Sequence, residues 1–172
     1  MVAILNKYLN SQSGDIVGPI AEEDKIKLLK ALLGSSFISD LDSWLGLAQD
    51  YLENREPATP FLRDNELRRK DKLYRSSFSK LDDSTKEIIF KLILSTTSGL
   101  LFSILVNFDQ FRHGDLSISL KTKSPGQETI NITPGIDDLH DELSEWIYEF
   151  SKYKDKLVER VEEANGTSFR LL

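Results

Sequence analysis

The amino-acid sequence predicts an α+β protein, mostly α: a helical bundle around a central apolar helix (about 84–110) with one small antiparallel β-hairpin (about 116–133). Three observations carry this. The stretch from Ser84 to Gln110, STKEIIFKLILSTTSGLLFSILVNFDQ, holds no charge between Lys91 and Asp109. Two runs of alternating polarity, Leu116–Lys123 and Glu128–Thr133, flank a Ser-Pro-Gly-Gln turn, which is the pattern of paired strands. Leu139, Leu143, Trp146, Phe150, Tyr153 and Leu157 recur at steps of four and three, the spacing of a helix seam.

Each element has its own local reason. Val2–Leu9 reads as a short helix with Ile4, Leu5, Tyr8 and Leu9 inward, followed by the loop SQSGDIVG. Pro19 is placed to open a second helix, with Glu22, Glu23 and Asp24 in its first turn and Gly34 just past its end. Ser39 is a candidate N-cap for a third helix over Asp40–Asn54, in which Trp44 is expected to anchor the core. The Pro-containing break EPATPF, Glu56–Phe61, precedes a basic surface helix over Asp64–Lys80. Its cations include Arg68, Arg69, Lys70, Lys72 and Arg75.

Ser84 and Glu87 form an S-x-x-E pair before the central apolar run, the spacing of a capping box. Apolar side chains then fall on every side of the helical wheel, which is expected of a core helix or a membrane span. The core reading is preferred. The uncharged run is short against the roughly 20 apolar residues of a span, and it contains seven Ser, Thr, Asn or Gly residues. Thr96–Gly99 is a place where the helix is free to bend, since β-branched residues and Gly each lower helix propensity. The last helix follows Pro134-Gly135, with a homodimer seam as the alternative use of its apolar face.

The chain has 172 residues, enough for one globular domain over 1–172 with a sizeable core. It has no cysteine, hence no disulfide, thiolate site or Cys nucleophile, and no basic leader precedes its apolar start. A cytoplasmic location is the expectation, with no cofactor and no membrane partner. The net charge of −6 argues against nucleic acid as a partner, because phosphate neutralisation by Lys and Arg supplies most of that affinity. No Gly-rich phosphate loop and no nucleophile elbow occurs, so an enzyme is not expected.

Two constellations remain. From Asp137 to Glu163 there are ten acidic residues against four basic ones, and Asp138, Asp141, Glu142 and Glu145 are the candidate contacts for a basic protein partner. Arg68, Arg69 and Lys72 form a second candidate partner-binding patch of opposite sign. The alternative is a metal-binding protein or metal-dependent enzyme. Asp109 lies four residues before His113 and Asp137 three before His140, an echo of the carboxylate–histidine spacing in bundle metal sites.

The run DDLHDELSEWIYEFSKY, Asp137–Tyr153, following a hairpin, resembles small bacterial proteins that include toxin-neutralising immunity proteins. The resemblance covers the last third of the chain, extends to proteins of unassigned function, and assigns no residue a role. Charge, size and the absence of catalytic motifs make the expected function a non-catalytic protein-binding domain, in one version an acidic immunity or inhibitor-type protein.

Overall fold

A computed structural model describes residues 1–10, 12–55, 65–111, 116–121, 129–134 and 138–157, with the side chains of 65–68 excepted. The element order is α1 (Val2–Tyr8), a short 3₁₀ turn (Glu22–Asp24), α2 (Lys25–Leu52), α3 (Asn65–Phe78), α4 (Asp83–Asp109), β1 (Ile118–Lys121), β2 (Thr129–Ile132) and α5 (Leu143–Phe150). The mostly helical α+β class with one two-stranded antiparallel sheet is as expected. The Glu56–Phe61 break, the hairpin's turn residues, His113 and Asp137 lie outside the described residues.

The chain forms two compact units: Met1–Ser39 with Gly99–Leu172, and Asp40–Ser98. In the first, the hairpin registers Ile118 with Ile132 and Leu120 with Ile130. Ile130 and Ile132 are buried, while Ser119 and Asn131 meet on the open face at 2.6 Å. The seam is real in burial, because Leu139, Leu143, Trp146, Tyr153 and Leu157 are all buried. It is not one helix, however. α5 ends at Phe150, Ser151 is extended at φ −80° and ψ 135°, and its hydroxyl accepts the Tyr153 amide at 3.0 Å as the chain turns into the helical residues 154–157.

Two expected helices prove to be one. α2 runs for 28 residues through Gly34, which is not a C-cap. A Cβ at Gly34 would stand 2.5 Å from the Trp146 ring. The glycine thus lets the indole lie directly on the α2 backbone, and that packing outweighs the weak helix propensity of Gly34-Ser35-Ser36. Phe37 stacks beside the same ring at 6.2 Å between centroids, and Lys30 reaches Glu142 at 2.8 Å.

In the second unit, Arg75 organises the chain around the C-terminus of α2. Its Nε donates to Asp71 Oδ2 at 3.0 Å, its Nη1 donates to the Asp50 carbonyl at 3.1 Å and also to that of Arg55, and its guanidinium lies over the Tyr51 ring at 4.3 Å. The Asp50 carbonyl, which also accepts the Arg55 amide at 2.9 Å, belongs to the last turn of α2, and the Arg55 carbonyl lies past its end. Arg75 is therefore a buried structural cation, not part of an exposed basic patch. Trp44 departs from expectation in the other direction: it is 67% exposed, on the side of α2 that also bares Ser43 and Asp40, while Leu41 and Leu45 turn inward.

α4 begins one residue before the expected start. Its cap is Asp82, which accepts the Thr85 amide at 2.8 Å and the Thr85 hydroxyl at 2.7 Å. Those bonds hold the Asp82 carboxyl below its usual range. Ser84 lies inside the helix instead. The helix continues without a break through Thr96–Gly99. Each hydroxyl of that region is folded back on the helix: Thr96 donates to the Leu92 carbonyl at 2.9 Å, Thr97 to Ile93 at 2.7 Å and Ser98 to Leu94 at 2.7 Å.

Candidate functional site

α4 carries the strongest candidate surface. Its most apolar 18-residue window has a mean hydropathy of 1.9, yet only 17% of that window is buried. Phe90, Leu94 and Leu105 are buried. Ile88, Leu92, Leu100 and Ile104 are 65, 65, 61 and 39% exposed. The expectation of a helix enclosed by core on all sides is thus met on one side only. By length and composition this is one described helix able to cross a bilayer. In water its open side is a strip of apolar side chains interrupted by Thr96, and clustered exposed apolar side chains mark interaction surfaces more often than isolated ones do.

The strip has relief as well as hydrophobicity. Exposed or half-exposed positions come in adjacent pairs four residues apart: Lys91 and Leu92, Ser95 and Thr96, Gly99 and Leu100, Ser103 and Ile104. One row is bulky and its neighbour is small. Among the described residues, nothing lies within 4 Å of a Cβ built on Gly99. Gly34 is required by Trp146, whereas Gly99 has no such demand from its own chain.

A second cluster joins the C-terminus of α4 to the turn before α5. A carboxylate at the negative end of a helix is unfavourable unless donors surround it. Asp109 is buried there and accepts the backbone amides of Leu139 at 2.9 Å and His140 at 2.8 Å, together with the His140 ring nitrogen Nδ1 at 2.6 Å. The hydrogen bond to Asp109 raises the His140 pKa above its usual value, aided by the nearby charges of Asp141, Asp109 and Asp138 and opposed by partial burial. Phe102 meets the imidazole edge-on at 5.7 Å. Asp138, in the left-handed region at φ 30°, brings the turn round so that one ligand atom each from Asp109, Asp138 and His140 falls within 4.8 Å.

This arrangement bears on the expected metal ligands. Asp109 and His140, distant in sequence, are brought together, and Asp138 joins them where Asp137 was expected. Asp109 is, however, committed to three donors. That leaves His140 Nε2, 3.4 Å from Asp141 Oδ1, and Asp138 as the open groups among the described residues. A catalytic zinc commonly takes three protein ligands. The dominant role of the cluster is to clasp the α4 terminus to the turn.

The expected partner-binding residues are scattered. Asp138, Asp141 and Glu145 are exposed, but Glu142 is tied to Lys30, and Glu145 and Glu149 lie 3.8 and 3.9 Å from the N-terminal amine. Part of the acidic face is thus neutralised within its own unit. Arg69 and Lys72 are exposed and, with Lys70, Leu73 and Ser76, line a shallow groove of about 580 Å³. Arg68 lies in α3 with its side chain outside the described residues. The sequence points to no contact surface at the α4 strip. Its signal was present as paired rows at a four-residue step, which an all-round apolar count conceals. No protein family, curated protein or solved structure matches the chain.

Proposed function

We propose that this chain is a non-catalytic protein-binding domain whose contact surface is the open side of α4. The exposure of Ile88, Leu92, Leu100 and Ile104 along α4, with no charged residue between Lys91 and Asp109, carries the reading. Covering four such side chains is a gain of about 1–2 kcal/mol each, since full burial of a Leu or Ile is worth about 1.5–3 kcal/mol and these are mostly exposed. The acidic inhibitor version keeps Asp138, Asp141 and Glu145 as steering charges for a basic partner, with the apolar strip supplying affinity.

The test compares tagged variants as bait in native lysate. Leu92→Glu with Leu100→Glu is expected to lose a partner that wild type retains in stoichiometric amount, while Asp141→Lys with Glu145→Lys slows its capture. Undiminished retention by the first double variant sinks the reading.

A metal-binding role is the second reading, supported by the Asp109, Asp138 and His140 cluster. Elemental analysis decides it: one equivalent of transition metal in wild type, absent from His140→Ala, would place this reading first.

A further inference from the structure

We infer that α3 presents a second contact surface, a basic groove that takes an acidic segment of a partner protein. This surface is separate from the α4 strip and does not depend on it. How α3 is held is the first observation. From Arg69 to Phe78 only Arg75 is buried, Asp71 and Phe78 are half-buried, and the remaining side chains are exposed. A helix in water draws most of its stability from an apolar face packed on something else. A helix without such a face has to be held in another way. Here the hold is Arg75, through its donors to Asp71 and to the Asp50 and Arg55 carbonyls. Its Nη2 is buried yet meets no acceptor among the described residues, and a buried ion pair by itself is a weak source of net stability. What the clamp fixes is position: it holds in place a helix that has little to bury and much to show.

The exposed side chains form a pattern. Arg69, Lys72, Leu73 and Ser76 stand at i, i+3, i+4 and i+7, one stripe along the helix. With Lys70 they line the groove of about 580 Å³. Asp71, next in sequence to two of these cations, is bonded to Arg75 at 3.0 Å. Among the described residues no carboxylate pairs with Arg69 or Lys72. Leu73, 61% exposed, adds an apolar side chain to the cationic stripe.

Charge complementarity selects the occupant. Cations beside an exposed leucine match a segment that carries carboxylates and apolar side chains together. The Arg69 fork suits a carboxylate held by two parallel hydrogen bonds, Lys72 offers a second charge one turn on, and Leu73 receives an apolar side chain. Ser76 donates its hydroxyl to the Leu73 carbonyl at 3.0 Å, which leaves the oxygen to accept from a peptide amide. Nucleic acid and anionic lipid fit less well. Strong nucleic-acid binders make roughly 6–10 phosphate contacts, and membrane-binding basic clusters hold roughly 4–8 cations. Among the described residues three cations line this groove, on a chain of net charge −6. Exposed ion pairs are weak one at a time, so the contact is transient, with a Kd on the order of 100 μM.

The experiment is fluorescence anisotropy of a short fluorescein-labelled peptide, Leu residues interspersed among Glu, titrated with the full chain. Wild type should bind it, and raising the salt from about 0.05 M to about 0.5 M should weaken binding about tenfold, as screening shortens the reach of exposed charges. Arg69→Glu with Lys72→Glu should weaken it at least about tenfold with unchanged far-UV circular dichroism, since both side chains are exposed. A peptide with Gln in place of every Glu should not bind. Leu92→Glu with Leu100→Glu should bind the acidic peptide as wild type does, and a loss there would place the peptide on α4 and overturn the assignment to α3. No binding by wild type, equal binding by the Arg69 and Lys72 double variant, or equal affinity for the Gln peptide also overturns the inference. An RNA oligomer or phosphatidylserine vesicles bound more tightly than the peptide, and released by the same double variant, would overturn the acidic segment as occupant in favour of nucleic acid or lipid.

Discussion

The two apolar stretches that stand out most in the sequence have opposite surroundings. The seam from Leu139 to Leu157 puts five side chains into the interior. α4, the more apolar of the two, leaves four of its largest side chains open. The seam is amphipathic, so its spacing specifies one face to bury, and a break at Ser151 does not disturb that choice. α4 is apolar all round. Such a pattern gives the chain material to bury but does not say which side its own fold will cover. The difference recurs in the two tryptophans: Trp146 is enclosed and Trp44 is open.

The largest effect expected lies on the enclosed side. Trp146→Ala should cost about 3–5 kcal/mol in denaturant unfolding, as emptying a large aromatic site does. Gly34→Val should cost about 1–3 kcal/mol or more, because the new side chain enters the space held by the indole. Trp44→Ala should stay within about 0.5 kcal/mol of wild type. Equal losses at Trp44 and Trp146 would erase the contrast.

Next in size is Arg75. Arg75→Met keeps much of the side-chain volume over Tyr51 but removes the donors to Asp71 and to the Asp50 and Arg55 carbonyls. The Asp50 carbonyl keeps the Arg55 amide, so the loss expected is that of hydrogen bonds from a charged donor, about 1.5–3 kcal/mol. Arg69→Met, on the exposed side of the same helix, should be near neutral. A double-mutant cycle with Asp71→Asn measures how much of the loss is the ion pair itself.

What was legible in the sequence divides along the same line. Helix and strand identity followed from periodicity, and the apolar face of the hairpin followed from alternation at Ile118, Leu120, Ile130 and Ile132. The fusion of two expected helices into α2 was not legible, since Gly34 serves a ring more than a hundred residues away and reads locally as a stop. Arg75 was hidden for a similar reason: within a run of cations nothing local marks which one turns inward. At the candidate site, Asp109 and His140 were singled out from their spacing to neighbours, yet they meet through a long-range bond. The α4 strip was missed because apolarity was read as burial.

The Asp109–His140 clasp should give a smaller, pH-dependent effect. Asp109→Ala removes the acceptor for two backbone amides and the ring, and a cost of about 1–3 kcal/mol is expected. His140 has a folded pKa above its ordinary value, so protonation favours the folded state. Its contribution is then fully present below the unfolded value of about 6.5 and is lost as pH rises through the folded pKa. The stability gap between wild type and His140→Gln should accordingly be greatest below about pH 6.5 and narrow as pH rises above it. A gap that widens over that range would contradict the role assigned to the clasp.

The smallest effect expected is the one on which the comparison turns. Leu92→Ala exchanges an exposed side chain for the best helix former, so stability should change by less than about 0.5 kcal/mol. The same substitution should weaken retention of the partner captured from lysate, because Leu92 is an exposed residue of the strip and not of the core. The two readouts are independent: a core residue would lose stability, while a solvated surface residue would alter neither quantity. A loss near 3 kcal/mol in dilute solution would mean that the strip is covered by its own chain, and α4 would then join the seam as an ordinary enclosed helix.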